Sequence, residues 1–565
     1  MKKIYKSFNY IIYDDNGAVT VVSTRDSRYS VNSNGFYIYD TDAESRVAFH
    51  VPIADIGTFL TTESGSVYWT EITFTEFLNE NTSNASTENA LAALAEQPSS
   101  RTAFGELSIA EDTPFIQNTG VYGFIPNNFR TYSVGGTTGV IDRLFTCTSG
   151  TGLYNYGAIQ SLRSLNYNAG QGGVAKFTGV FPTNIASSWS GIGLISLSDE
   201  LSFGYNGTVF GVWHRYGGVA EVKTLNITAA SSGSTNLTLT LNSVAYVIPL
   251  TSGTIAFNAY QIATWLNANQ SIWIAEQVGN TVIIAAQSDG AKAGTYTYSH
   301  ASSTATIAAT MTGLTKTSVH TPQSSFSEDT VSWLNTSFGN VYKIDYQYLG
   351  FGNIRFFIEN PDTGKFTLVH ILKWANANTR TSLNNPSLRF GMYATSVGST
   401  TDFTVQCASV SLAVQGKISK TRNPRAVKNT QVVSSTFTNI LTLRNRRIYN
   451  GVYNAVEIEP LLLSLSSEST KNVEVELRTN AVFSGATNFQ EAGTNLCGDV
   501  GISSNATSNG TLLAAFTLSG NGNISASLKE LEIRIPPGIS LTIAARVTGG
   551  PNANITAALT YYEDL

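Results

Sequence analysis

The sequence predicts a mainly β, multidomain protein: a β-sandwich interrupted by a small α+β domain and followed by a C-terminal β-sandwich. Three observations carry that prediction. Short runs of alternating apolar and polar residues, each closed by Gly, Asn or Pro, recur through most of the chain. Residues 222–322 break this pattern and hold the one good amphipathic helix pattern. At 565 residues the chain is also too long for a single core.

Residues 1–80 form a β-rich unit in this reading. Asp15-Asn16-Gly17 is a hairpin turn between two apolar runs, and a second turn falls at Asn32–Gly35. Residues 81–118 hold a helix over about 87–97, capped by Ser86 or Thr87 and stopped by Pro98, then a linker or single extended strand. Residues 119–221 resume the sandwich pattern.

Residues 222–322 read as a β-β-α-β-β insertion, with Ala259, Ile262, Ala263 and Leu266 spaced to share one helix face. The sandwich then continues over 323–416. Its opening meander, 339–371, sets Tyr342, Ile344 and Tyr346 against Lys343 and Asp345. Ile354, Phe356 and Ile358 and then Phe366, Leu368 and His370 continue the alternation. Its partner strands lie before residue 222, so the meander closes a fold begun earlier. The polar set Lys343, Asp345, Gln347, Arg355 and Glu359 is expected on the surface or at an interface. Residues 417–428, with five basic residues and no acid, read as a linker, and 429–565 as the second sandwich.

Composition excludes several classes of function. Apolar residues at 42% suffice for full cores, while only 13% are charged, so Asn, Ser, Thr and Gly must supply the polar surface. A net charge of −5 argues against a nucleic-acid binder. No run is long enough to span a bilayer. Cys147, Cys407 and Cys497 have no metal-like spacing and read as buried thiols. None of the five histidines, His50, His214, His300, His320 and His370, pairs at ligand spacing, so neither metal nor cofactor is expected.

Catalytic patterns are weak. Glu474/Glu476 reads as a solvent face, Asp199/Glu200 would point to opposite faces of a strand, and Asp345 could meet Glu359 only by accident of register. None makes the carboxylate pair of a glycoside hydrolase. The one candidate ligand site is Trp213, His214, Arg215 and Tyr216, where aromatics could stack on a sugar while Arg and His donate hydrogen bonds. The plainer alternative is edge aromatics packed under a loop.

The stretches AFGEL (103–107), AGQGGVAKFTGVF (169–181), LSFGYNGTVFGVWHRYGG (201–218) and VYKIDYQYLGFGNIRFFIENPDTGKFTLVH (341–370), in that order, resemble tailed-phage virion structural proteins of the baseplate or fibre-like kind. The inserted unit resembles one that recurs in those proteins. The meander is similar to the concanavalin-like jelly-roll sandwich of lectins and glucanases. The resemblance implies a virion location, a non-enzymatic structural role and other virion proteins as partners. It also implies a homo-oligomer, a trimer by analogy with fibres, with residues 1–80 docking to the particle. A glycan-binding receptor-recognition protein is the alternative, and a polysaccharide depolymerase ranks third.

Overall fold

The computed structural model describes residues 112–125, 128–165, 167–182, 185–415, 424–503 and 505–563, and the backbone of seven strands before residue 73. The expected helix at 87–97, the stretch 103–107 and residues 417–423 of the basic segment lie outside the described residues. Two compact units, Met1–Ser100 and Arg101–Leu565, are distinguished.

In the first unit, Tyr10–Asp15 and Ala18–Thr24 pair as a hairpin closed by Asp15 opposite Ala18. Tyr29–Asn32 and Gly35–Tyr39 form the second, with Asn32 opposite Gly35. Both pairings fall where the sequence predicts a hairpin turn.

The second unit is built on two facing antiparallel sheets. The seven-stranded sheet runs, edge to edge, Thr317–Pro322, Val209–Tyr216, Glu200–Asn206, Ser188–Ile195, Phe390–Ser396, Tyr156–Ser161 and Phe129–Val134. The six-stranded sheet runs Lys365–Leu372, Ile354–Asn360, Asn340–Tyr346, Gly173–Gly179, Ser409–Gln415 and Asp112–Thr119. Their inner faces meet in one core, where Phe177, Phe203, Tyr342 and Phe356 lie side by side. The meander therefore supplies one half of the six-stranded sheet, and its alternating Tyr342, Ile344, Tyr346, Ile354, Phe356 and Ile358 are the residues it buries.

Two strands of this sandwich lie where the sequence suggested something else. Asp112–Thr119, almost all of it in the stretch read as a linker or a single extended strand outside the sandwich, pairs with Ser409–Gln415. It is an edge strand, where Pro114 can be accommodated and apolar alternation is not required. Thr317–Pro322, assigned by sequence to the insertion, pairs with Val209–Tyr216, with His320 opposite Trp213. It too is an edge, with most of its residues exposed and a terminal Pro.

The inserted unit has seven strands, not four. Ile255–Asn269 is its helix, capped by Thr254 accepting from the Phe257 amide, and it buries Ala259, Ile262, Ala263 and Leu266. The run NLTLTLNSVAYVIPL, which stands where the β-β-α-β-β pattern has one strand before the helix, is the hairpin Thr235–Leu241 and Val244–Leu250. Its turn, Asn242-Ser243, has φ of 51° and 67°, a two-residue turn without the Gly that usually marks one. Thr297–Ser299 and Thr304–Met311 add two more strands, both largely exposed and too poor in large apolar residues to stand out.

The C-terminal domain packs a four-stranded sheet (Arg425–Val433, Ala553–Glu563, Ile458–Ser467, Asn523–Ser527) against a six-stranded one. Arg425–Lys428, read as the end of the basic linker, begins its edge strand, with Arg425 opposite Tyr561.

Polar contacts join the three modules. Glu276 of the insertion accepts the Arg447 amide at 2.9 and 3.0 Å and the Ile448 amide at 3.3 Å. Gln277 is bonded on both sides, its Oε1 accepting from the Phe489 amide (3.1 Å) and its Nε2 donating to Asn488 (2.7 Å). The sandwich meets the C-terminal domain through Arg163 and Glu457 (3.1 Å) and through Ser164 Oγ donating to the Ala455 carbonyl (2.9 Å).

Candidate functional site

The four residues Trp213–Tyr216 lie on one strand, and strand alternation divides them. Leu201, opposite His214, and Phe203, opposite Val212, are core residues, so His214 and Tyr216 point to the inner side. His214 Nε2 meets the Ser382 carbonyl at 2.8 Å, its ring stacks on Tyr216, and Trp374 abuts it edge-on. Burial lowers its pKa to about 4, so it is neutral and donates to that carbonyl. The quartet is thus not one ligand site: His214 and Tyr216 anchor the loop carrying Ser382 and Trp374.

Trp213 and Arg215 face outward, where they join residues the sequence reading did not select. Glu200, directly opposite Arg215, takes the guanidinium Nη1 at 2.8 Å on Oε2. Its Oε1 accepts from Ser202 Oγ at 2.5 Å and Tyr393 OH at 3.0 Å. Arg215 Nε donates to Ser318 Oγ at 2.9 Å, and its guanidinium lies 4.1 Å from the centre of the Trp213 ring and 5.3 Å from that of Trp189. Burial pushes the Tyr393 phenol pKa well up, so the hydroxyl remains a donor to Glu200.

The glycines of this face make room for the cluster. A Cβ on Gly191 would lie 2.7 Å from the Tyr393 ring and 2.9 Å from Glu200 Oε1, both closer than van der Waals contact allows. Over this floor the Trp213 indole donates to the Ser190 carbonyl (3.1 Å), stands edge-on to Trp189 at 6.3 Å and packs on His320. Trp213 and Arg215 are almost sealed, at 3% and 7% exposure, whereas Trp189 keeps 38%. The shelf therefore offers solvent one indole, oriented by a hydrogen bond from its Nε1 to Asn206 (3.1 Å).

The carboxylate candidates do not form an acid pair. Asp199 binds the Asn384 amide (2.7 Å) and the Asn385 amide (3.2 Å), pinning the loop before Phe390. Glu474 pairs with Arg546, Glu476 with Arg478, and Asp345 lies opposite Arg355, not Glu359. Among the described residues, no group of His, Cys, Asp and Glu could hold a metal ion, and no helix is long and apolar enough to cross a membrane. Cys147, Cys407 and Cys497 are free and buried, and burial raises each thiol's pKa.

The polar side of the meander is a correction of another kind. Lys343, Asp345, Gln347 and Arg355, expected with Glu359 on the surface or at an interface, are all 6% exposed or less, while Glu359 is half-buried. Arg355 holds Asp345 through two bonds (2.7 and 3.0 Å), and Lys343 reaches the same carboxylate at 3.1 Å. Alternation identified their face correctly but carries no information on whether that face is covered.

No family model and no curated protein sequence matches the chain. Among solved structures it is similar to the metal-free lectin I-B4 of Griffonia simplicifolia, at 10% identity over 53% of this chain and all of that one, with a TM-score of 0.20. Arcelin-5, a lectin-like defence protein of Phaseolus vulgaris, aligns at 10% identity over 55% of this chain and all of its own, with a TM-score of 0.21. The Emp47p carbohydrate recognition domain aligns at 8% over 54% of this chain and 95% of its own, with a TM-score of 0.22. At these scores the fold class stands on the sheets described above, and the likeness carries no argument about activity.

Proposed function

We propose that this chain is a non-enzymatic structural component of a phage particle, in a tail, baseplate or fibre appendage, that works as a homo-oligomer at the host surface. The observation that supports it best is the coupling of three β modules into one body by buried main-chain and side-chain bonds, centred on Glu276 and Gln277. A load-bearing or spacing role needs such rigidity, whereas an enzyme needs a reactive set. Among the described residues, the strands of the seven-stranded sheet carry one carboxylate, Glu200, and it is neutralised by Arg215. That supports the non-enzymatic reading, because glycoside hydrolysis commonly requires two. Native mass of the purified chain, with mass spectrometry of intact particles, tests the proposal: an oligomer present in particles is expected. A stable monomer at micromolar concentration, absent from particles, overturns it.

The second reading is glycan recognition, and the exposed indole of Trp189 favours it. Aromatic faces stack on the apolar faces of sugar rings, and Asn206, bonded to the indole, adds a polar group beside them. A glycan array probed with wild type and Trp189→Ala decides it. Binding that disappears in the variant supports the reading, and equal binding, or none by either, dismisses it.

A further inference from the structure

A second feature of the same outer face lies away from the indoles. Gln160 stands between Arg130 on one neighbouring strand and Gly391 on the other. Arg389, two residues before Gly391, shares the outward parity of Gly391 and Tyr393. Arg130 and Arg389 therefore flank the strand Tyr156–Ser161 on one side of the sheet. Arg447 of the C-terminal domain approaches from across the seam. A Cβ on Gly538 would lie 2.3 Å from Arg447 Nε and 3.0 Å from Arg130 Nη2, so both side chains close on the bare Cα of that glycine.

Three guanidiniums gathered in this way repel one another, and most are left without an acceptor. Arg130 donates to the Pro537 carbonyl at 2.6 Å. Among the described residues, the guanidiniums of Arg389 and Arg447 have neither an acceptor within hydrogen-bond distance nor a carboxylate at ion-pair distance. The nearby acids are otherwise engaged, Glu457 by Arg163 and Glu276 by two backbone amides. Burial and the positive neighbour Arg130 bring the Arg389 pKa down to about 10 and lower that of Arg447. Yet Arg130, Arg389 and Arg447 each keep part of their surface in contact with solvent, so the cluster is open to a ligand. A planar fork with unused donors is suited to bidentate capture of an oxyanion.

We propose that Arg130, Arg389 and Arg447 form a binding site for an oxyanion group, either the carboxylate of an acidic saccharide or a free phosphate or sulfate ion, at the seam between the sandwich and the C-terminal domain. Tyr132 lies near Arg389, and Tyr453, whose hydroxyl donates to the Ala286 carbonyl (2.9 Å), lies near Arg447. The site does not depend on the Trp189 reading, and Trp189→Ala should leave it intact.

Calorimetric titration of the full chain with a glucuronic-acid oligosaccharide, inorganic phosphate and inorganic sulfate, at ionic strength held constant with sodium chloride, tests it. Wild type should bind at least one of the three, and Arg389→Gln should weaken that binding about tenfold or more. An acidic saccharide that binds tenfold tighter than either ion identifies the carboxylate source, and equal or tighter binding of an ion identifies the free anion. Thermal unfolding gives a second readout that separates a ligand site from a structural one. With no oxyanion present, Arg389→Gln should match or exceed the wild-type Tm, because it relieves repulsion, and it should lose the Tm rise that phosphate or sulfate gives wild type. Absence of binding by all three probes, or binding unchanged in both Arg389→Gln and Arg447→Gln, overturns the proposal.

Discussion

The two outer faces of the sandwich use the same chemistry to opposite ends. On the six-stranded sheet, Asp345 is gripped by Arg355 and Lys343, both cations lie over the Phe357 ring, and that ring is fully buried. On the seven-stranded sheet, Glu200 is gripped by Arg215, the cation lies over Trp213 and Trp189, and Trp189 remains open. One face has been closed around its ion pair. The other keeps an aromatic surface and, at its far end, Arg130 and Arg389, which meet Arg447 of the C-terminal domain with no carboxylate between them. A buried charge cluster is thus no mark of function by itself; what separates the faces is the group left unsatisfied or exposed at the edge of each.

Removing the charge at the centre of the closed face should have the largest effect. Asp345→Ala leaves Lys343 and Arg355 buried without their carboxylate, and a loss of about 3–5 kcal/mol in urea-unfolding stability is expected. A loss below about 1 kcal/mol, the range of exposed pairs, would show that this face is wet and that the contrast is false.

Beneath the open face, His214 supplies a pH test. Its pKa falls from 6.5 in the unfolded chain to about 4 when buried, a difference of about 3 kcal/mol. Between those values the unfolded state binds the proton that the folded state refuses. The neutral ring's contribution is therefore whole above about pH 6.5 and is lost as pH falls toward about 4. His214→Gln keeps a donor for the Ser382 carbonyl and should flatten the slope of stability over that window. An unchanged slope would assign the acid sensitivity elsewhere.

How much of this contrast was legible in the sequence depends on range. Alternation along a strand was readable, and it identified Tyr342, Ile344, Phe356 and Ile358 as core and Lys343, Asp345 and Arg355 as the opposite face. The same rule separates Trp213 and Arg215 from His214 and Tyr216, so the proposed quartet conflicted with a pattern already in hand. Glu200 and Ser202 lie on the other arm of the hairpin that turns at Gly207-Thr208, so the turn fixes Glu200 opposite Arg215 and this pairing was a signal the sequence reading did not use. Tyr393 was not legible as a neighbour of Arg215, because register between strands nearly two hundred residues apart leaves no local trace. That Asp112–Thr119 and Thr317–Pro322 are edges of the sandwich was missed for a related reason: an edge buries little, so its sequence need not alternate. The arginine cluster joins residues 130, 389 and 447, and only folding puts them at one seam.

The open face should respond more weakly than the closed one to loss of charge. Glu200→Gln retains acceptors for Ser202 and Tyr393 but removes the counter-charge from Arg215, and a loss of about 2 kcal/mol is expected from chemical denaturation. A loss equal to that of Asp345→Ala would place both clusters in the same class and remove the contrast between the faces.

The smallest stability change, and the most informative about function, belongs to Trp189→Ala. The indole is 38% exposed, and its packing consists of the edge of Trp213 and a more distant contact with Arg215, so its removal should cost about 1 kcal/mol or less. A core aromatic of similar size would cost about three times that. The exposed ring thus contributes little to holding the sheet together, although Asn206 fixes its orientation. A side chain held in place at little benefit to stability is suited to meeting something outside the fold. If Trp189→Ala leaves the melting temperature within a few degrees of wild type and abolishes glycan retention, the open face is a recognition surface. If the variant unfolds like a core substitution, the indole is packing, and the two faces differ only in how completely they are covered.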